Sequence, residues 1–159
     1  MIPRLVHLFA ILTTALYLVP TGAHLAELPH KLAMSPVDYL TVQGIYAGWQ
    51  LFGIVICIAL CAIFAQAIAV RPDRRAFRFA LAALVCLVLA LADFFAFTYP
   101  VNVATHFWTV VPDNFEAARR QWEYSHAVAA ALTLLALTAT TWSALVHGPQ
   151  AARQTAEKD

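Results

Sequence analysis

Long stretches without a charged side chain dictate what this chain can fold into. Counting only Asp, Glu, Lys and Arg, none occurs from Leu5 to Ala26, from Tyr39 to Val70, or from Tyr124 to Ala152. A fourth stretch, Phe79 to Pro112, is broken once, by Asp93. About 20 mostly apolar residues carry a helix across a hydrocarbon core of about 30 Å, and each stretch is long enough. Composition agrees: 62% of residues are hydrophobic and 12% charged, and a soluble domain carries roughly 25% charged residues. The expected fold class is all-α, a four-transmembrane-helix up-down bundle with short helices in its two outer loops. Residues 1–159 form a single integral membrane domain, with spans near 5–24, 44–70, 77–99 and 122–147.

Charge sets the expected orientation. Arg71, Arg74, Arg75 and Arg78 crowd the link between the second and third spans, which the positive-inside rule places in the cytoplasm. Both termini are then cytoplasmic and residues 25–43 and 100–121 lie outside, with the bacterial inner membrane the expected location. A net charge of +1 and a basic cluster already explained by topology argue against nucleic acid as a partner. Arg4 and the apolar run Leu8 to Val19 have the outline of a signal peptide. His7 interrupts that outline, and Pro20-Thr21-Gly22 reads as a helix exit, so a retained first helix is expected. Cys57, Cys61 and Cys86 all fall within spans; they read as small packing residues, with a soft-metal site as the sharper alternative.

Turn chemistry marks further elements. Pro72 stops the second span by withholding an amide donor. Ser35-Pro36-x-Asp38 has the signature of a helix start, as does Asp113-Asn114-Phe115-Glu116. The latter continues without a breaker into the fourth span, which predicts one long helix beginning in the outer water layer. Pro20 and Pro100 are expected to end the first and third spans, and Gln43-x-x-Tyr46 and Gln121-x-x-Tyr124 to open the second and fourth.

The candidate site lies at the outer end. Asp93 is an acid inside a span, and such residues usually face the bundle interior with a partner. The expected partner is His126, Gln50 or Arg119; the alternative is a structural clamp to a neighbouring helix. Arg119, Trp122, Glu123 and His126 share one helical stripe by their three- and four-residue spacings, so that Arg119 can pair with Glu123 and Glu123 can orient His126. His24, Tyr46, Trp49, Gln50, Asn102 and His106 fall at similar depth.

Tyr99-Pro100-Val101-Asn102, Trp108 and Arg119-Arg120-Gln121-Trp122-Glu123-Tyr124-Ser125-His126 resemble the second half of the anthrone-oxygenase-like membrane proteins. The resemblance covers all four helices by hydropathy and specific motifs from about Asp93 to His126. It implies Asn102, Arg119, Trp122 and His126 as the polar site, and oxidation of anthrones by O₂ without a metal or organic cofactor. The chain departs from the family just beyond His126, where members often carry a basic residue and this chain has Ala127 to Ala131.

Three functions stand open. As an oxygenase or oxidoreductase, the protein would bind an apolar aromatic or quinol-like molecule against Phe94, Phe95, Phe97, Trp49 and Trp122. His126 would be the base, Asp93 or Glu123 its orienting carboxylate, and Asn102 or Arg119 the oxyanion stabiliser. As an electron-transfer cytochrome, it would hold haem between His24 and His126 and between His7 and His147. As a non-catalytic subunit or homo-oligomer in the lipid bilayer, it would pack through Gly44-x-x-x-Gly48 and the Ala-rich fourth span.

Overall fold

The computed structural model describes residues 2–156, with side chains over 4–147. Helix α1 (Ile2–Lys31) leads to α2 (Pro36–Gln43), 3₁₀ turns at Gly44–Tyr46 and Trp49–Leu51, and α3 (Phe52–Val70). A tight turn gives α4 (Arg74–Asp93), which passes through a π-helical segment, Phe94–Thr98, into α5 (Tyr99–Ala104). After a loop, α6 runs unbroken from Phe115 to Ala156. Four runs are long and apolar enough to cross a membrane: Arg4–Lys31, Trp49–Val70, Arg74–Ala104 and Phe115–His147. The expected all-α bundle, the short helix after Ser35 and the single long last helix are all present. Helix α1 packs on α3, α3 on α4, α4 on α6, and α6 back on α1.

Small residues fill the interior. Ala10, Ala59, Ala62, Ala83 and Ala136 are buried with Ile56, Ile63 and Leu87, while Leu8, Leu12, Phe64, Val88 and Leu135 point outward. This inversion of a soluble core suits lipid, where no hydrophobic force drives helices together and close backbone approach supplies the packing. Polar side chains inside are tied down. Thr14 and Thr133 bond back to carbonyls four residues earlier. Gln66 of α3 donates to the Thr140 carbonyl of α6 at 3.0 Å and accepts from the Thr140 hydroxyl at 3.2 Å. Gln66→Leu is expected to cost about 0.6–1.7 kcal/mol, the range for polar contacts between membrane helices, and denaturant unfolding in detergent would measure it.

The turn between α3 and α4 follows the expected logic. Helix α3 ends at Val70, and Asp73 caps α4 by accepting from the amides of Arg75 and Ala76. Elsewhere the boundaries move. Neither Pro20 nor Pro29 ends α1, which continues to Lys31. In lipid a helix that loses one donor still satisfies its backbone better than any irregular chain, and the Thr21 hydroxyl bonds the Tyr17 and Leu18 carbonyls beside Pro20. Pro100 does not end its span either. The π segment immediately before it absorbs the misfit, as such bulges do, and Gln121 donates to the Phe97 carbonyl at 2.9 Å. Gly44 and Gly48 do not form a helix-packing face: they belong to a broken segment in which Gly48 adopts φ +91°, a conformation that favours glycine.

Candidate functional site

The continuation of α1 past Pro20 creates the site. His24, Glu27 and Lys31 are spaced by three and four residues, so a helix stacks them on one face. Against that face α6 sets Arg119, Trp122, Glu123 and His126, with the same spacing. Lys31 and Glu123, 1% and 0% exposed, form an ion pair at 2.8 Å. The Tyr39 hydroxyl of α2 donates to the same carboxylate oxygen at 2.8 Å. The Lys31 ammonium also stands 4.6 Å and 4.7 Å from the Trp122 and Tyr46 ring centres, 3.9 Å from Glu27, and 3.5 Å from His24 Nδ1. Tyr46 donates in turn to Glu27.

Below the ion pair, His24 and His126 pack with ring centres 4.3 Å apart. Trp122 lies 3.9 Å from His126 and 4.9 Å from His24, and Trp49 closes the other side of His24 at 5.5 Å. Hydrogen bonds assign the tautomers. His126 Nδ1 lies 2.8 Å from the Trp122 carbonyl, so Nδ1 carries the proton and Nε2 is the acceptor. His24 Nδ1 faces the Lys31 ammonium, so its proton sits on Nε2. The Trp122 indole donates to Asn102 Oδ1 at 2.7 Å, and the hydroxyls of Thr98 and Ser125 meet at 2.7 Å.

A loop lid covers the network. His106, Phe107 and Trp108 are consecutive left-handed residues, at φ 48°, 57° and 61°, each at a cost of about 1–2 kcal/mol. The Trp108 amide donates to the Thr105 hydroxyl, and the buried indole packs 4.9 Å from Tyr39 and 6.0 Å from Trp122. Trp108 Nε1, Arg119 Nε, Gln43 Nε2 and Glu123 Oε2 are buried without a hydrogen-bond partner among the described residues. That leaves three donors and one acceptor in the shell around Tyr39, where buried polar groups are normally paired. Beside it, Pro100, Val101, Thr105, Asn114, Ala118 and Gln121 line a cavity of about 220 Å³, and Val101 and Ala118 belong also to the aromatic cluster of Trp108 and Trp122.

The structure brings together His24, His126, Trp122, Asn102 and Glu123, but rearranges their partners. Arg119 does not pair with Glu123. It donates to the Lys31 and Met34 carbonyls at 3.3 Å and 2.7 Å and to Glu116 at 2.6 Å, clamping the end of α1 where a cation suits the helix dipole. Glu123 is taken by Lys31 and does not orient His126; the Trp122 carbonyl does. Asp93 makes no hydrogen bond to His126, Gln50 or Arg119: its Oδ2 is buried without a partner among the described residues, and Tyr17 of α1 is its electrostatic neighbour. Phe95 and Phe97 are 58% and 51% exposed and line no interior pocket with the two tryptophans. Lys31, Tyr39 and Glu27 were outside the expected site, because residues 25–43 read as a loop. Cys57 and Cys61 lie on the exposed surface and Cys86 is half-buried, all as free thiols.

The His24 and His126 rings touch, with centres 4.3 Å apart and Trp122, Tyr46 and Trp49 around them, whereas bis-His haem ligation places the macrocycle between two imidazoles.

Burial, reinforced by the Glu123 carboxylate, pushes the Tyr39 phenol well above the usual tyrosine range. Burial and the hydrogen bond to Glu27 do the same at Tyr46. The folded state therefore keeps protons that the unfolded chain loses, so this contribution to stability is complete below about pH 10 and falls as pH rises further. A spectrophotometric tyrosine titration is expected to show no phenolate lost below pH ~12 on Tyr39→Phe substitution; loss of one titrating group would contradict the buried bond.

Comparison with known proteins finds no matching family, no matching curated sequence and no matching solved structure.

Proposed function

We propose that this integral membrane protein is a cofactor-independent oxidoreductase acting on an apolar aromatic substrate with a weakly acidic C–H or O–H bond, of the anthrone or hydroquinone kind. The observation that carries the reading is His126. Its Nδ1–H is fixed on the Trp122 carbonyl, which leaves Nε2 as a proton acceptor beside two aromatic rings, as a general base requires. The Lys31 ammonium, paired with Glu123 and near Glu27, also adjoins His24, and in this reading it is the donor group that stabilises the anion created by proton removal. This replaces the stabilising role expected of Arg119, whose guanidinium is committed to α1.

For an anthrone the sequence balances simply. His126 takes a proton from the ring CH₂, the carbanion passes electrons to O₂, and the CH₂ becomes C=O while the second oxygen atom leaves as water. The resemblance of the Tyr99–His126 motifs to anthrone-oxygenase-like proteins supports the same chemistry. The arginine turn supports a cytoplasmic placement of both termini, which puts the site at the outer half of the membrane.

Oxygen uptake by the purified chain in detergent, with an anthrone and a hydroquinone in turn, tests the reading. One O₂ per anthrone, above autoxidation in detergent alone, is the expected result. Absence of uptake with both would overturn it and favour a non-catalytic membrane subunit.

A further inference from the structure

The opposite, arginine-rich end of the bundle holds a second histidine pair that the proposed chemistry does not use. His7 near the start of α1 and His147 on α6 have ring centres 5.7 Å apart at 64°. His7 is 8% exposed, and neither of its ring nitrogens has a hydrogen-bond partner among the described residues. Burying an unpaired polar atom costs about 1–3 kcal/mol, so an imidazole orphaned on both sides calls for something to bind.

We propose that His7 and His147 bind one transition-metal cation of the imidazole-preferring kind, Zn²⁺, Cu²⁺ or Ni²⁺. Metal–nitrogen bonds of about 2.0–2.1 Å put the ring centres of two imidazoles sharing one ion roughly 5–6 Å apart. The inner pair meets that spacing. The His24–His126 pair, at 4.3 Å, is too close. Asp73 stands behind the pair: its Oδ1 caps α4, and its Oδ2 lies 3.6 Å from His147 Nδ1, an ion-pair separation longer than a hydrogen bond. A carboxylate beside one imidazole nitrogen favours the other as the ligating atom, the usual arrangement behind metal-bound histidine, which leaves Nε2 of His147 for the ion.

Among the described residues, no group of three or more His, Cys, Asp or Glu side chains converges as a closed metal cage. The ion therefore keeps water in its remaining positions. Arg71 and Arg74 flank the turn, so affinity rests on the two nitrogens rather than on negative charge, and hard cations such as Mg²⁺ are discriminated against. The ion would tie the first turns of α1 to the last membrane turn of α6.

Calorimetric titration of the untagged full-length chain with Zn²⁺ near neutral pH is the test. One saturable site per chain is expected for Zn²⁺ and none for Mg²⁺. His7→Ala and His147→Ala are each expected to weaken Zn²⁺ binding at least tenfold, and Asp73→Asn, which retains the helix cap, by about tenfold. His30→Ala, an exposed histidine at the other end, is expected to change nothing. No saturable binding by the wild type, or binding undiminished in both histidine variants, would overturn the proposal. Should those variants fail to fold, pulsed EPR of Cu²⁺ on the wild type decides: two coordinated imidazoles are expected, and fewer than two refute the site.

Discussion

Lys31→Met is expected to destabilise the folded protein by about 3–5 kcal/mol, the cost of stranding one member of a buried ion pair. Glu123 is 0% exposed, and among the described residues, without the ammonium, only the Tyr39 hydroxyl remains on its Oε1, while Oε2 already lacks a partner. Glu123→Leu leaves Lys31 with only the more distant Glu27, at 3.9 Å, and the faces of Tyr46 and Trp122. The double variant Lys31→Met/Glu123→Leu is expected to regain most of the loss, because apolar residues of similar volume often replace a buried pair at no net cost. A double-mutant cycle in detergent unfolding separates the terms. Single variants within about 1 kcal/mol of wild type would mean that the pair behaves as a solvated surface contact.

The same pair shows where the sequence can and cannot be read. The uncharged stretches locate all four crossings because lipid solvation is a composition effect, summed over some 20 residues and insensitive to any one of them. Ser35 announces its helix because a cap is local: it satisfies an amide three residues on. Helix ends inside the membrane are different. Pro20 and Pro100 read as terminators by a rule that holds in water, where freed backbone groups find solvent. In hydrocarbon they find none, so α1 and the α4–α5 run continue.

That single boundary decided the site. With α1 ending near His24, Glu27 and Lys31 belong to a loop and Glu123 has only Arg119 to meet. With α1 continuing, Lys31 reaches Glu123 and Arg119 is released to clamp the helix end. The pairing of His24 with His126, and of His7 with His147, followed from alternating helix direction alone and appears in the structure. Asp93 is a complementary case: depth along a helix does not fix rotation about it, and Asp93 makes no hydrogen bond to His126, Gln50 or Arg119 but has Tyr17 of α1 as an electrostatic neighbour. Tyr39 carried no signal at all, since nothing local shows that a tyrosine in a short loop helix will reach an acid 84 positions away.

If the outer pair is catalytic, its two histidines must be unequal. His126→Gln is expected to lower kcat/KM for anthrone oxidation by about 10²–10⁴, the usual contribution of a positioned base, which corresponds to roughly 2.7–5.4 kcal/mol of barrier. Glutamine keeps much of the volume and can still donate to the Trp122 carbonyl, so the fold is spared while the acceptor nitrogen is lost. His24→Gln removes a ring whose Nδ1 already faces Lys31; it perturbs packing on Trp122 but takes away no free base, and a loss of no more than about tenfold is expected. Single-turnover measurements place the difference in the proton-removal step, because a deuterated CH₂ should slow the His126→Gln enzyme at least as much as the wild type. Equal losses in the two variants would mean that the histidines act together as packing, and equal retention would remove His126 from the chemistry. The tautomers already point one way: of the two rings, only His126 combines a fixed Nδ1–H with a nitrogen left to accept.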